Sequence, residues 1–490
     1  MQAPLSGAAA PEIADVRAGT DLPLAVDLDG TLVQTDLFLE SVCALIRGNP
    51  FYLFAAALWM LKGRALLKRR IAERVTIDVS ALPYHQGVLD YVKAERTKRK
   101  IILATAEDQA VAHQVAGHLQ IFDEVLGSGP AVNLSGSFKR DRLVSEFGQK
   151  RFDYAGDSRR DLAVWSSARK AILINPPRGL LDRVSRIAEV GKVFREGEDR
   201  KHRLRHLGEA MRLYQWLKNL LLFVPMVMAH RFFEGPLIVR SVTAFLAFGL
   251  SASSVYLLND LVDMPADRRH PRKRHRPFAS GQLSPAWGLM GIPLLLTLSL
   301  ALSLLLPLPF LGIILIYFVL NFIYSVWLKQ IALLDVIVLT GLYTLRVMAG
   351  SASVAIWPSA WLLAFCTFLF LSLALVKRYA ELLTIGGTGR ISVRGYEIAD
   401  KDLLASLGAG SGYVAVLVLV IYISSGIAEI HYTRQQLIWL LCPLLLYWIS
   451  YVWLVAHRGG MHDDPLVFTL KDPISRIVMS LAAVVWILAL

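Results

Sequence analysis

Two aspartates, Asp27 and Asp29, stand two residues apart in the run PLAVDLDGTL, directly after the short apolar stretch Leu24–Val26. Such a stretch delivers them to the C-terminal end of a strand, where Gly30 turns the chain. Two carboxylates at that spacing across a tight turn can serve one phosphate, one as nucleophile and one as general acid/base. Three further elements follow in order. The run IILATA (101–106) reads as a strand ending at Thr105, Lys139 follows the loop NLSGSF, and GDSRRD brings Asp157 and Asp161 to a third strand end. A dianionic phosphate repels Asp27 unless a divalent cation and a lysine offset its charge.

A second constellation lies in NDLVDMPADRRHPRKRHRPFASG, Asn259–Gly281, at the end of an apolar run. Ionisable groups this close to hydrocarbon are costly and usually functional. Asn259 and Asp263 are four apart and share a helix face, with Asp260 beside them. Pro265 removes a backbone donor and disfavours helix at Met264, so the helix is expected to end or kink there, leaving Asp267 on a loop that folds back. Oxygen ligands so clustered suit Mg²⁺ bridging carboxylates to substrate phosphates, and the basic run Arg272 to Arg276 suits the phosphate oxygens. An ordinary basic cytoplasmic loop would account for the arginines but not for the Asn/Asp spacing.

These elements need two different platforms. Up to about Lys218 the chain is a mixed, charged sequence; beyond it, long apolar runs are broken by short loops. The 490 residues exceed one ordinary core. About nine spans are read, near 217–234, 237–258, 287–306, 308–328, 331–352, 357–378, 403–424, 436–456 and 474–490. The loops 259–286, 377–402 and 457–473 hold most of the flanking Lys and Arg. That bias puts the N-terminal region on the cytoplasmic side of an inner membrane and the C-terminus on the other. It also explains the net charge of +13 without a nucleic-acid partner. Cys43, Cys366 and Cys442 are too scattered for a disulfide framework or a CxxC metal pattern. Residues 1–21 read as a disordered lead-in with no signal peptide. The run Phe51–Leu61, FYLFAAALWML, is too short to span a bilayer. It reads as a buried or amphipathic helix, or else as one that docks on a membrane surface.

The ordered set DxDGT, Thr105, Lys139 and GDxxxD resembles the haloacid dehalogenase superfamily. The resemblance implies an α/β, Rossmann-like phosphatase domain over 22–190 with a helical cap near 36–85, and a linker at 191–210. Asp27 would be the phosphorylated nucleophile, Asp29 the acid for the leaving alkoxide, Thr105 and Lys139 the holders of phosphate oxygens. Mg²⁺ would be held by Asp27, Asp29, Asp157 and Asp161. A catalytically dead remnant is the bland alternative.

The run NDxxDxxxD resembles the first aspartate motif of the UbiA prenyltransferase superfamily, which implies an all-α membrane bundle of nine helices over 211–490. Its extended form, ND-x2-D-x3-DR-x-HP-x-KR-x-RP-x-ASG, is similar to the decaprenyl-phosphate phosphoribosyltransferase branch, as are YQWLKN (214–219), Asp335 to Arg346, KRYAEL (377–382), RGY (394–396) and HDDPLVF (462–468). The second DxxxD motif of ordinary members is missing: Glu381 is the only acid in the first part of that loop, beside added Arg and Tyr groups. The resemblance implies transfer of 5-phosphoribose from phosphoribosyl diphosphate to a polyprenyl phosphate. Asn259, Asp260, Asp263 and Asp267 would hold Mg²⁺, with Asp260 and Asp263 catalytic. Lys218, Lys273 and Arg276 would neutralise the leaving diphosphate, Arg378 and Arg394 grip the 5-phosphate, and Tyr379 and Glu381 lie at the sugar. The fused phosphatase would then remove the terminal phosphate of the product. Rival readings are prenyl transfer to an aromatic or lipid acceptor, and a membrane anchor or transporter. Self-association is left open.

Overall fold

A computed structural model describes residues 22–49, 51–129, 132–195, 200–385, 395–426, 432–461 and 464–490. They fall into two units: the described part of Met1–Leu204 with Met264–Pro285, and Arg205–Asp263 with Ala286–Leu490.

The first unit alternates strands and helices: β1 Leu24–Val26, α1 Leu37–Gly48, α2 Tyr52–Leu61, α3 Arg64–Ala72, α4 Gln86–Arg96, β2 Ile101–Asp108, α5 Gln109–Leu119, β3 Glu124–Ser128, α6 Ser137–Phe147, β4 Asp153–Gly156, α7 Leu162–Trp165, β5 Lys170–Ile174, α8 Leu180–Val184 and β6 Glu189–Phe194. The strands form one sheet in the order β3-β2-β1-β4-β5-β6, all parallel. Its central strands are near-continuous apolar runs because helices cover both faces. Leu24, Val26, Ile101 and Leu103 enter one core cluster, while Ala25, Ile102 and Ala104 enter the cluster on the other face. The strand order reverses between β1 and β4. In sheets of this kind the ligand crevice lies at that point, beyond the strands' carboxyl ends.

α1 to α3 occupy the expected cap region. The Asp36 carboxylate accepts from the Leu39 amide at 3.0 Å and starts α1. Leu45, Leu67 and Ile71 form a small separate core joined by Tyr52 and Trp59. One expectation for α2 is corrected: it is not a buried helix, since Phe54, Leu58, Met60 and Leu61 are exposed. The expected boundary at 190 is also too early, because β6 pairs with β5 and carries the sheet to Phe194. A helix, Arg200–Ala210, takes up most of the remaining linker. Within this unit Arg268 donates to Glu40 at 2.5 and 2.7 Å, and Arg269 to Asp78 at 2.6 Å.

The second unit is a bundle of apolar helices. Among the described residues seven are long and apolar enough to cross a membrane, or eight if the bent pair Pro465–Lys471 and Pro473–Ala489, which meet at 83°, is one span. The expectation of nine is not confirmed among the described residues. Where a first span was read, the chain forms a 3₁₀ stretch, Leu213–Phe223, and a short helix, Val224–Met228. Close packing shows at Gly350, where a Cβ would lie 2.1 Å from the Leu222 carbonyl oxygen.

Of the two expectations for Pro265, a helix end or a kink, the helix end is corrected. Gly235–Arg269 is one helix with Pro265 inside it. A proline removes one backbone bond, and membrane helices absorb that loss where neighbouring groups satisfy the freed carbonyl. Asn259, Asp260, Asp263 and Asp267 therefore ride on a single helix, and Asp267 is not on a returning loop.

Candidate active sites

In the first unit the strand ends assemble a cavity of about 590 Å³ lined by Asp27, Asp29, Glu107, Lys139, Asp157 and Asp161, among others. Gly30 makes this possible: its φ is +71°, and a Cβ there would stand 2.2 Å from Asp157 Oδ2. Lys139 Nζ lies 2.9 Å from Asp27 Oδ1 and donates to the Tyr154 hydroxyl at 2.9 Å. Tyr154 in turn donates to Asp161 Oδ1 at 2.8 Å, while Asp161 Oδ2 accepts from the Ser158 amide and hydroxyl.

Carboxylate oxygens of Asp27, Asp157 and Asp161 lie within 4.8 Å of one another, a donor set suited to a hard divalent cation. Burial raises the pKa of Asp27 despite Lys139. Burial and the charges of Asp161 and Asp27 lift Asp157 well above the carboxylate range. A cation among them would reverse that strain, so these residues fit Mg²⁺. Burial acts against the Lys139 ammonium, yet Asp27 and Asp161 outweigh it and keep the amine charged.

Asp29 is not one of that group of three. Its Oδ1 accepts from the Leu37 amide at 2.9 Å, and its side chain is hydrogen-bonded to Glu107. Burial, Glu107 and Asp36 raise its pKa well above the usual range, which favours the protonated form. Thr105 is also differently placed. Its hydroxyl accepts from the Glu107 amide at 3.0 Å, and the side chain is fully buried. Thr35 was not singled out, yet it lines the cavity with a buried hydroxyl that has no hydrogen-bond partner among the described residues.

In the second unit the aspartates are met by cations. Arg212 hydrogen-bonds Asp260, and Lys329 Nζ donates to Asp263 at 2.7 and 2.9 Å. The Arg212 guanidinium lies 5.2 Å from the ring of Tyr256, one turn before Asp260. Asp464 is buried and bound by Lys218 at 2.7 Å, Lys377 at 3.1 Å and the Tyr343 hydroxyl at 2.9 Å. Arg346 joins Asn219 at 3.3 Å and the Tyr317 hydroxyl at 3.1 Å. Asn259 Oδ1 is buried without a hydrogen-bond partner among the described residues. An orphaned amide oxygen beside two carboxylates is an oxygen set that Mg²⁺ fits.

The sequence profile of the UbiA prenyltransferase family matches residues 220–471. The chain belongs to that family. It is similar to the uncharacterized protein y4nM of Sinorhizobium fredii, at 32% identity over 474 residues covering 96% of this chain and 91% of that protein. It is also similar to decaprenyl-phosphate phosphoribosyltransferase of Mycolicibacterium smegmatis, at 30% identity over 279 residues covering 55% of this chain and 87% of that protein. Phosphoserine phosphatase in its apo form aligns at 13% identity with a TM-score of 0.27, covering 38% of this chain and 98% of that one.

As a UbiA family member the protein is integral to the membrane, and the placement of its other expected site residues can be stated. Arg378 is not a free phosphate ligand. It is buried and held by Asp335, by Glu381 at 2.7 Å and by the Tyr324 hydroxyl at 2.9 Å. The Tyr396 hydroxyl completes this knot by donating to Asp335 at 2.5 Å. Glu381 is thereby paired with an arginine. Tyr379 is buried with its hydroxyl 2.8 Å from His457 Nδ1. Arg276 pairs with Asp267 at 2.6 Å, and Lys273 is half-buried. Arg394 lies outside the described residues, as do residues 1–21 and the His462 and Asp463 of HDDPLVF. Arg212, Lys329 and Asp464 carried no assigned role. For Arg212 and Lys329 the one signal was an ionisable residue beside an apolar span; Asp464 also lies in the run HDDPLVF.

Proposed function

We propose that the membrane unit transfers 5-phosphoribose from phosphoribosyl diphosphate to a polyprenyl phosphate, and that the first unit dephosphorylates the product. The observation that carries this reading is the pairing of Asp260, Asp263 and Asp464 with Arg212, Lys329, Lys218 and Lys377. Lysines and an arginine accompany the acids where a second aspartate motif would have supplied more metal ligands. Such a charge balance suits two phosphorylated substrates better than one prenyl diphosphate and a neutral acceptor. The mycobacterial relative's name agrees with it.

In this reading a phosphate oxygen of the lipid attacks C1 of ribose as the C1–O bond to diphosphate breaks, and diphosphate leaves with the bonding pair. Positive charge grows on the sugar and negative charge on the leaving group. Lysines and arginines already fixed in place stabilise the latter without reorganising. Asn259, Asp260 and Asp263 would hold Mg²⁺, which supplies charge neutralisation at the diphosphate. The acceptor arrives ionised, so no strong base is required. The basic loops support a cytoplasmic face for this chemistry, with the C-terminus opposite.

For the first unit, Asp27 attacks the terminal phosphorus while Asp29 delivers its proton to the departing ribose oxygen. Water then attacks the phosphorus of the aspartyl phosphate, giving its proton to Asp29 and freeing Asp27 and inorganic phosphate. Lys139 holds phosphate charge throughout, and Mg²⁺ at Asp27, Asp157 and Asp161 would share that load.

The test is mass spectrometry of lipid formed by wild type and by Asp27→Asn from phosphoribosyl diphosphate and polyprenyl phosphate. Wild type should give polyprenyl-phosphoryl ribose and the variant its 5-phosphate. Product only from a prenyl diphosphate and another acceptor would overturn the transferase reading. The 5-phosphate lipid from both proteins would overturn the phosphatase assignment.

A further inference from the structure

Helix α2 has an apolar face left exposed among the described residues. Phe51 at its N-cap, Phe54, Leu58 and Leu61 recur at spacings of three and four, and so lie on one side. They are 68%, 71%, 63% and 85% exposed. Tyr52, Ala56 and Trp59 occupy the other side and pack on the small core of Leu45, Leu67 and Ile71. The fold is therefore already satisfied by one face, and contiguous exposed apolar surface of this kind marks an interaction site.

Two further observations identify the occupant. From Arg47 to Arg74 the chain holds seven Lys or Arg and one acid, Glu73. Arg47, Lys62, Arg69, Arg70 and Arg74 are exposed. An apolar helix face rimmed by cations is the composition that lies in the interface of an anionic bilayer. A second copy of this unit would bring the same positive charge and be repelled. The remaining observation is continuity with the cavity: Met60 of α2, 58% exposed, also lines it beside Leu67 and Lys68 of α3.

We propose that α2 is an interfacial anchor whose Phe51, Phe54, Leu58 and Leu61 insert among the headgroups of an anionic bilayer, so that the cavity opens onto lipid-borne phosphate. The anchoring stands on the helix alone; the choice of a lipid-borne substrate rests on the phosphatase reading above. A tail leaving the cavity past Met60 meets apolar surface before it meets water.

The experiment uses the full chain in lipid nanodiscs. The three native thiols are buried, so Leu58→Cys accepts a fluorophore selectively. Brominated phosphatidylglycerol should quench that fluorophore at least 3-fold more than brominated phosphatidylcholine at low salt, and high salt should shrink the difference. No quenching in either lipid, or disulfide capture of a second copy through Leu58→Cys, overturns the anchor. The variant Phe54→Ser/Leu58→Ser/Leu61→Ser should lose 10-fold or more of its activity on the phosphoribosyl lipid. It should hydrolyse p-nitrophenyl phosphate unchanged, which also reports an intact fold. Equal loss on both substrates, or on neither, overturns the proposed presentation of lipid. Quenching in a wild type that leaves the lipid phosphate untouched would sink the phosphatase reading and keep the anchor.

Discussion

Lys329 Nζ donates to both carboxylate oxygens of Asp263, at 2.7 and 2.9 Å, and ties the turn Leu328–Gln330 to the helix Gly235–Arg269. Those residues are far apart in sequence. If the lysine meets diphosphate charge, Lys329→Ala should lower the transfer kcat roughly 100-fold, the scale for losing one prepositioned donor. Lys329→Arg should recover part of it. A change in KM alone would assign the lysine to binding only.

Asp260→Asn should abolish transfer, with losses of about 1000-fold, since several kcal/mol of charge stabilisation depends on the ligand set. Hydrolysis of p-nitrophenyl phosphate by the same protein should be unchanged. Chelation of divalent cations should stop both reactions, and Mg²⁺ should restore both. A variant that still transferred at the wild-type rate would remove Asp260 from the site.

Gly30→Ala should silence only the phosphatase. The left-handed φ of +71° strains any side chain, and the added methyl would collide with Asp157. We expect at least a 100-fold loss on p-nitrophenyl phosphate, near the lower range for misplacing catalytic groups. Lipid product should then accumulate as the 5-phosphate. Normal hydrolysis by this variant would contradict the cavity geometry.

Asp153 gives a pH dependence. Burial alone would raise its pKa, but hydrogen bonds from Arg169 and Arg99 outweigh it and hold the carboxyl below its ordinary value. The group contributes stability above its unfolded pKa and loses it as pH falls through the lower folded one. Unfolding of the first unit, followed by tryptophan fluorescence of Trp165, should therefore become easier below about pH 4. Asp153→Asn should cost about 2 kcal/mol at neutral pH and flatten that acid limb. An unchanged limb would move the acid sensitivity elsewhere.

Much of the first unit was legible because its chemistry sits in order along the chain. An apolar triplet before Asp27, a strand before Asp157 and a lysine between them leave few ways to fold. The central strands were readable for the same reason, since Leu24 and Val26 face one way and Ala25 the other. Pairings between distant helices were not. Nothing local at Arg378 tells whether it meets a sugar phosphate or Asp335, because the answer depends on how two apolar helices pack. Pro265 misled for a related reason: its local penalty is real, but the surrounding helix tolerates it. The 3₁₀ stretch Leu213–Phe223 was hidden too, as its apolar composition is equally that of an α-helical span.

The helix Gly235–Arg269 has 35 residues, roughly 52 Å of rod for a hydrocarbon slab of roughly 30 Å. Asn259 comes about 36 Å along it, farther from the helix start than such a slab is thick. With the proposed polyprenyl phosphate as acceptor, its charged end would meet the aspartates while its tail stays dissolved in the leaflet. Chain length then becomes nearly invisible to the enzyme, and acceptors differing by several isoprene units should react at similar rates.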